Sequence, residues 1–215
     1  MEHESIVWPK PADDIIRYSA LVYQKGLVSA AGGNVSARLG GDMLITGSNV
    51  PLRAVTYEGL VLCDAEGHVK RAAQGLKPSK ETRFHLDVYR LRPEINYIIH
   101  AHPTYSVLWT LQKKPLPLYT ESAKLKLGEV PIVPDRAPGS TELADVVAET
   151  VAKASADTRA FLMEGHGILV MGKTMEECFD QAELLEDTAK IAFLQQLACP
   201  VSYTHLRAHE TGAYL

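Results

Sequence analysis

Two histidines one residue apart, His100 and His102, close a run that begins with Tyr97, Ile98 and Ile99. Alternate residues of a strand point to the same side, so both imidazoles project together where the strand leaves the core. Placed so, they can share one ion at ~2.0–2.1 Å per bond. A bare pair of this kind also reads as two surface histidines, or as one satisfied by a helix end, and further ligands are needed to make a site. His166 is one, within Glu164-Gly165-His166-Gly167. Its flanking glycines allow a sharp turn and a close backbone approach between two apolar strands, although a plain turn histidine fits the same pattern. Glu81 is another, in the first turn of a helix that Ser79 begins. There a carboxylate lies near free backbone N–H groups and can act as metal ligand or as proton carrier, the competing reading being an ordinary helix-start glutamate. Three imidazoles and a carboxylate make a catalytic zinc set, with three lasting ligands and one exchangeable position. Copper and nickel also accept imidazole, and residue type leaves manganese and iron open. His85 shares the helix face of Glu81 and is expected to pack or to support the site; His3 and His68, in a tail and a turn, receive no role.

Three short segments are suited to anions: Gly32-Gly33-Asn34, Thr46-Gly47-Ser48-Asn49 and Pro78-Ser79-Lys80. Glycine-rich turns expose N–H groups, Ser and Asn add donors, and a helix start favours negative charge. Such turns are frequent singly; together they indicate phosphate.

The elements that must position these groups follow from periodicity and punctuation. Asp13–Lys25 carries Ile15, Ile16, Leu21 and Val22 on one stripe and reads as a helix. Short strands are expected at Asn34–Arg38 and Met43–Thr46, and a hairpin pair at Gly59–Cys63 and Val69–Arg71. Ser79 is expected to cap a helix to about Arg90, stopped by Arg92-Pro93. Then come a strand Tyr97–His102, a helix Thr104–Leu111, and strands at Val130–Val133, Ala160–Met163 and Ile168–Met171. Long helices are expected at Thr141–Ala154 and Thr174–Leu197, the second opened by a Thr174/Glu177 capping box. Interleaving of this kind indicates an α/β layered single domain with helices covering a sheet.

Composition narrows the class. A chain of 215 residues, 46% hydrophobic and 22% charged, is globular and suits one domain. A net charge of -4 without a basic cluster argues against nucleic acid. No apolar run approaches the ~20 residues of a membrane span, and Met1–Lys10 lacks the apolar core of a secretory signal. Three cysteines, Cys63, Cys178 and Cys199, without paired spacing suggest reduced thiols and a cytoplasmic protein. Val201–Thr211 looks like one translated frame of a sequencing adapter. The catalytic domain is therefore taken as residues 1–200, with 201–215 a non-native tail whose His205, His209, Tyr203 and Tyr214 are set aside.

Taken together, these residues resemble the class II aldolase/adducin family. The resemblance rests on Gly33-Asn34-Val35-Ser36, Leu44-Ile45-Thr46, Pro78-Ser79-Lys80-Glu81, Phe84-His85, Arg92-Pro93, His100-x-His102-Pro103 and Gly165-His166-Gly167, in that order, between about Asp13 and Leu197. It implies a three-layer fold around a mainly antiparallel central sheet, and a homotetramer with active sites between subunits. It implies zinc on His100, His102 and His166, with Glu81 as a resting ligand that swings away to move a proton. It implies Asn34, Ser48 and Ser79 in a phosphate pocket, to which Gly33, Asn49 and Lys80 are adjacent.

The activity so implied is retro-aldol cleavage of a small ketose phosphate to dihydroxyacetone phosphate and an aldehyde. Lys80 stands where the aldolase branch has serine, and Lys77–Glu81 with Leu185–Lys190 looks similar to the branch that decarboxylates 3-oxo-tetronate 4-phosphates. That reaction, on a phosphorylated sugar acid, is the alternative. Sugar-phosphate 4-epimerisation is disfavoured by Glu81, since that branch commonly has aspartate there. A non-catalytic adducin-like binding head has no need of the four metal-site side chains. The tyrosine that assists the aldolases from a neighbouring subunit falls near Glu121 or Ser122, with Tyr119 a nearby substitute.

Overall fold

The computed structural model describes residues 9–198. Cys199, His3 and the tail after residue 200 lie outside the described residues. Six helices are named here: α1 (Lys10–Gln24), α2 (Thr82–Leu91), α3 (Thr104–Thr110), α4 (Glu121–Lys126), α5 (Thr141–Lys153) and α6 (Met175–Ala198). The strands are β1 (Asn34–Leu39), β2 (Asp42–Thr46), β3 (Leu60–Cys63), β4 (Val69–Arg71), β5 (Tyr97–Ala101), β6 (Ile132–Val133), β7 (Ala160–Met163) and β8 (Gly167–Gly172).

All eight strands join one sheet in the order β4-β3-β2-β1-β5-β8-β7-β6. Every pairing is antiparallel except that of β6 with β7. The central strands are apolar on both sides because helices cover both faces. In β5, Ile99 and Ala101 join a core with Ile15 and Val22 of α1, Trp109 of α3, Ala123 of α4 and Leu185 of α6. Ile98 points the other way, into a core with Phe84 and Val88 of α2 and Leu143, Val147 and Val151 of α5. Ile98 and Ile99 are wholly buried, each worth about 1.5–3 kcal/mol of transfer free energy. The result is a helix–sheet–helix sandwich in three layers, as the sequence indicates.

The periodic elements fall within a few residues of expectation. The capping box on α6 is formed: Glu177 N donates to Thr174 Oγ1 at 3.1 Å, and Glu177 Oε2 accepts from Thr174 N at 3.3 Å. Three local expectations are corrected. Ser79 does not cap α2: its Oγ accepts from Glu81 N at 3.3 Å, and the helix starts at Thr82 with Glu81 in the N-cap position. The strand β5 stops at Ala101, which leaves His102 on the connection to α3. His100 does not leave the core, being wholly buried in the middle of the sheet. Helix α4 was not anticipated; its six residues are too short to show a period, and Thr120 caps it by accepting from Ala123 N at 3.2 Å.

Cys63 and Cys178 are buried free thiols. Among the described residues no helix is long and apolar enough to cross a membrane.

Candidate metal centre and substrate cleft

The three histidines meet. One ring nitrogen from each of His100, His102 and His166 can be chosen so that all lie within 4.8 Å of one another. His100 arrives on β5, facing the α2 side of the sheet, where its ring meets Phe84 edge-on. Its Nδ1 lies 2.9 Å from the Ile168 carbonyl oxygen. A carbonyl only accepts, so Nδ1 carries the proton and Nε2 offers its lone pair inward. That Nε2 lies 2.9 Å from His102 Nε2 and 3.2 Å from Glu81 Oε2. His166 Nε2 lies 3.3 Å from Glu81 Oε1.

Helix α3 holds the two loop histidines. It starts directly after His102-Pro103, and its first N–H groups are fixed by Glu186 of α6. That carboxylate accepts from Tyr105 N at 2.9 Å and from Ser106 N and Ser106 Oγ at 2.8 Å each. From the other end of α3, Thr110 Oγ1 accepts from Gly165 N at 2.9 Å, gripping the turn that carries His166. Gly165 needs its φ of +62° for this turn. At Gly167 a Cβ would collide with the Ala101 carbonyl and come within 2.8 Å of His102 Cδ2. Glycine there is a condition for close approach of β8 and the His102 ring.

The donor set fits a divalent ion. Two nitrogens on one tetrahedral ion at ~2.0–2.1 Å stand about 3.3 Å apart, close to the His100–His102 separation. Glu81 Oε1 is buried without a hydrogen-bond donor, as expected of an oxygen meant for a cation. Burial first, and the neighbouring His102 and His166 rings second, push the His100 pKa well below the usual imidazole value of 6.5. Burial, then His166, lowers His102 likewise. Both are therefore neutral at pH 7, the form that binds metal.

Glu81, His102 and His166 line a cleft of about 810 Å3, with His100 buried behind them. All three anion-suited turns border it: Gly32, Gly33 and Asn34 on one side, Gly47, Ser48 and Asn49 next, then Ser79 and Lys80. A bridge between Gly47 and Pro78, with Ser48 N donating to Lys77 O at 2.8 Å, ties the second turn to the third. Asn34 also serves Glu81, its Nδ2 donating to Oε2 at 2.8 Å. The remaining wall was missed by sequence reasoning: Thr104, Val107, Leu108 and Leu111 of α3 and its C-terminal end, and Asp135, Arg136, Pro138 and Gly139 from the loop before α5. The α3 residues could have been found from the apolar face of a helix that starts beside His102; the loop has no local pattern.

Tyr119 and Glu121 do not line this cleft. Tyr119 donates to Gln195 Oε1 at 3.3 Å, and Glu121 pairs with Lys124 at 2.6 Å. His85 is wholly buried behind the site. His68 sits on an exposed turn with Asp64, at 3.1 Å. A second groove, of about 880 Å3 and lined by Lys25, Tyr105, Gln181 and Lys190 among others, contains no histidine.

Fold and site together define a three-layer α/β protein with a three-histidine cluster that could hold a metal ion. The chain belongs to the class II aldolase and adducin N-terminal domain family, whose pattern matches residues 13–193. Among its relatives, an L-fuculose phosphate aldolase of Methanococcus maripaludis is 29% identical over 181 residues, covering 84% of this chain and 95% of the relative. A 3-oxo-tetronate 4-phosphate decarboxylase of Pectobacterium atrosepticum is 33% identical over 187 residues, covering 84% of this chain and 83% of that one. The crystal structure of L-fuculose-1-phosphate aldolase from Thermus thermophilus superposes with a TM-score of 0.76 at 28% identity, covering 87% of this chain and 94% of the other.

Proposed function

We propose that this chain is a zinc-dependent lyase that cleaves a carbon–carbon bond in a small ketose phosphate, releasing dihydroxyacetone phosphate and an aldehyde. The observation that carries the reading is the contact of Glu81 with both His100 and His166, at 3.2 and 3.3 Å, on the border of a cleft edged by anion-suited turns. Zinc held by His100, His102 and His166 would supply Lewis acidity, an electron sink for the carbanion that cleavage leaves. Glu81 moves the proton at that carbon, oriented by the Asn34 amide. Ser48 and Ser79 hydroxyls and the N–H groups of their turns bind the phosphate, with Asn49 and Lys80 at the margin. Val107, Leu108 and Leu111 supply an apolar wall that limits water beside the reacting carbon. In this reading Tyr119 and Glu121 act in the cleft of a neighbouring copy within a cytoplasmic homotetramer.

A second reading has a specific observation in its favour. Lys80 and Arg136 both border the cleft, and two cations suit a substrate with a phosphate at one end and a carboxylate at the other. Decarboxylation of a 3-oxo-tetronate 4-phosphate fits that pattern and needs the same electron sink.

The deciding experiment gives the zinc-loaded protein a panel of ketose 1-phosphates and a 3-oxo-tetronate 4-phosphate. Aldehyde together with dihydroxyacetone phosphate is expected. Carbon dioxide without aldehyde would establish the second reading, and no carbon–carbon cleavage of any kind would reject both.

A further inference from the structure

Behind the metal centre runs a buried polar chain. Asn34 Nδ2 donates to Glu81 Oε2 at 2.8 Å. Asn34 Oδ1 contacts His85 Nε2, and Ser36 Oγ lies 2.7 Å from His85 Nδ1. Tyr89 Oη lies 2.9 Å from Ser36 Oγ and 3.3 Å from the Asn96 carbonyl. Ser36 and His85 are wholly buried, and Asn34 and Tyr89 are 4% exposed. Residue pattern assigns His85 only a supporting part, and the chemistry proposed above leaves it unused.

From Glu81 to Ser36 each proton has one assignment. An ionised carboxylate only accepts, so Asn34 must turn its NH2 toward Glu81 and its Oδ1 toward His85. His85 then carries its proton on Nε2 and accepts at Nδ1 from the Ser36 hydroxyl. Ser36, its proton used, accepts from Tyr89, whose single proton is divided between Ser36 Oγ at 2.9 Å and the Asn96 carbonyl at 3.3 Å. Reversing any link from Glu81 to Ser36 leaves two acceptors or two donors face to face among buried groups.

One strand and one helix bring the links together. Asn34 and Ser36 are alternate residues of β1 and share its α2-facing side. His85 and Tyr89 stand one helical turn apart on α2. The stack of Phe84 on His85, with ring centroids 4.7 Å apart, fixes the imidazole plane.

We propose that His85, held in one tautomer by Ser36, is a positioning residue that locks the Asn34 amide with its donor toward Glu81, and so sets the carboxylate that moves the proton. An amide without that hold on Oδ1 is free to rotate away, and Glu81 loses its fixed donor. This role rests on the lyase reading for its catalytic consequence, but not for its structural one. His85→Phe keeps the ring stack and removes the donor; His85→Gln returns an N–H donor at a similar reach.

In zinc-loaded protein, His85→Phe is expected to lower kcat roughly 10- to 100-fold, the usual cost of losing a group that supports a metal site, with KM held within about twofold. His85→Gln should recover most of that loss. The double variant Asn34→Ala/His85→Phe should lose no more kcat than Asn34→Ala alone, since His85 acts through Asn34. Ser36→Ala, a one-atom deletion, should show the same kcat-only pattern and serves if His85→Phe does not fold. Independently of turnover, the Asn34 side-chain NH2 signal, assigned by its loss in Asn34→Asp, should resist deuterium exchange in the wild type and in His85→Gln. It should exchange faster in His85→Phe and Ser36→Ala.

Equal losses in His85→Phe and His85→Gln would overturn the proposal, as would multiplicative losses in the double variant. Unchanged exchange of the Asn34 amide in His85→Phe or Ser36→Ala would overturn it too. A wild-type protein that cleaves no substrate would reject the lyase reading, while the exchange measurement would still decide the positioning one.

Discussion

At the residue scale, the centre divides labour among four side chains. The imidazoles of His100 and His102 are neutral and aimed, and Glu81 is the group that reaches both His100 and His166. His102→Ala should lose both bound zinc and turnover, measured by metal analysis and by product release. Glu81→Gln should keep most of the zinc while kcat falls about 10²–10⁴-fold, the span typical of general acid–base groups. Near-normal turnover in Glu81→Gln would remove it from the chemistry.

His85 makes a prediction about stability rather than turnover. Burial, ahead of the neighbouring His100, pushes its pKa from 6.5 down to about 3. The unfolded chain therefore takes up a proton at His85 below about pH 6.5, whereas the folded chain refuses it until near pH 3. Its contribution is complete above the unfolded value and is lost as pH falls through that window. By pH 5 the loss is about 2 kcal/mol. Urea unfolding of the chelator-treated protein at pH 7.5 and 5.0 should show this drop, and His85→Gln should show a smaller one. Identical pH slopes for the two proteins would mean that His85 titrates normally.

At the element scale, α3 matters more than its seven residues suggest. It begins beside His102, ends on the turn of His166, and forms part of the apolar wall of the cleft. Its start is fixed by one carboxylate from α6, Glu186, which accepts from two backbone N–H groups and a hydroxyl. Glu186→Ala should cost about 1–3 kcal/mol, because it leaves donors at a helix start without a partner. Since α3 holds the loops of His102 and His166, the same variant should also bind zinc more weakly, as read by competition with a chelator. A loss of stability with unchanged zinc affinity would separate α3 from the metal site. Gly167→Ala belongs to the same scale: the Cβ would collide with Ala101 in the neighbouring strand, and a lowered melting temperature is expected.

At the scale of the whole molecule, the sheet is a bracket that holds distant pieces of chain in register. Cα pairing sets Asn34 opposite His100 and His100 opposite Leu169, so one row across β1, β5 and β8 aligns the Glu81 partner with one of the three clustered imidazoles. Because the three histidines come from separate elements, an ion held by them would bind only the folded state. Adding zinc to the chelator-treated protein should raise its melting temperature in step with zinc concentration. An unmoved transition would argue against a metal centre in the native fold. Sedimentation of the zinc-loaded protein is expected to give four chains per particle; a monomer with full activity would show that no neighbouring copy is needed.

Much of this was legible before any tertiary structure. The apolar runs around Ile98 and Ile168 marked central strands, Thr174 and Glu177 marked a helix start, and residue type and position singled out His100, His102, His166 and Glu81. Local sequence carries such information because side-chain period and capping act over a few residues. Other features were decided only by packing. His100 and His102 read alike in sequence, yet the first is wholly buried and the second lies beyond the end of its strand. Asn34, which reads as a phosphate ligand, donates to Glu81, and that link spans 47 positions of the chain. Glu186 stands out only as part of a sequence pattern, but its hold on α3 crosses about 80 positions. Arg136 and the other loop residues carry no local mark at all. Residue types and short spacings determined which groups could do chemistry; which of them face one another depended on strand register and helix packing between segments far apart in the chain.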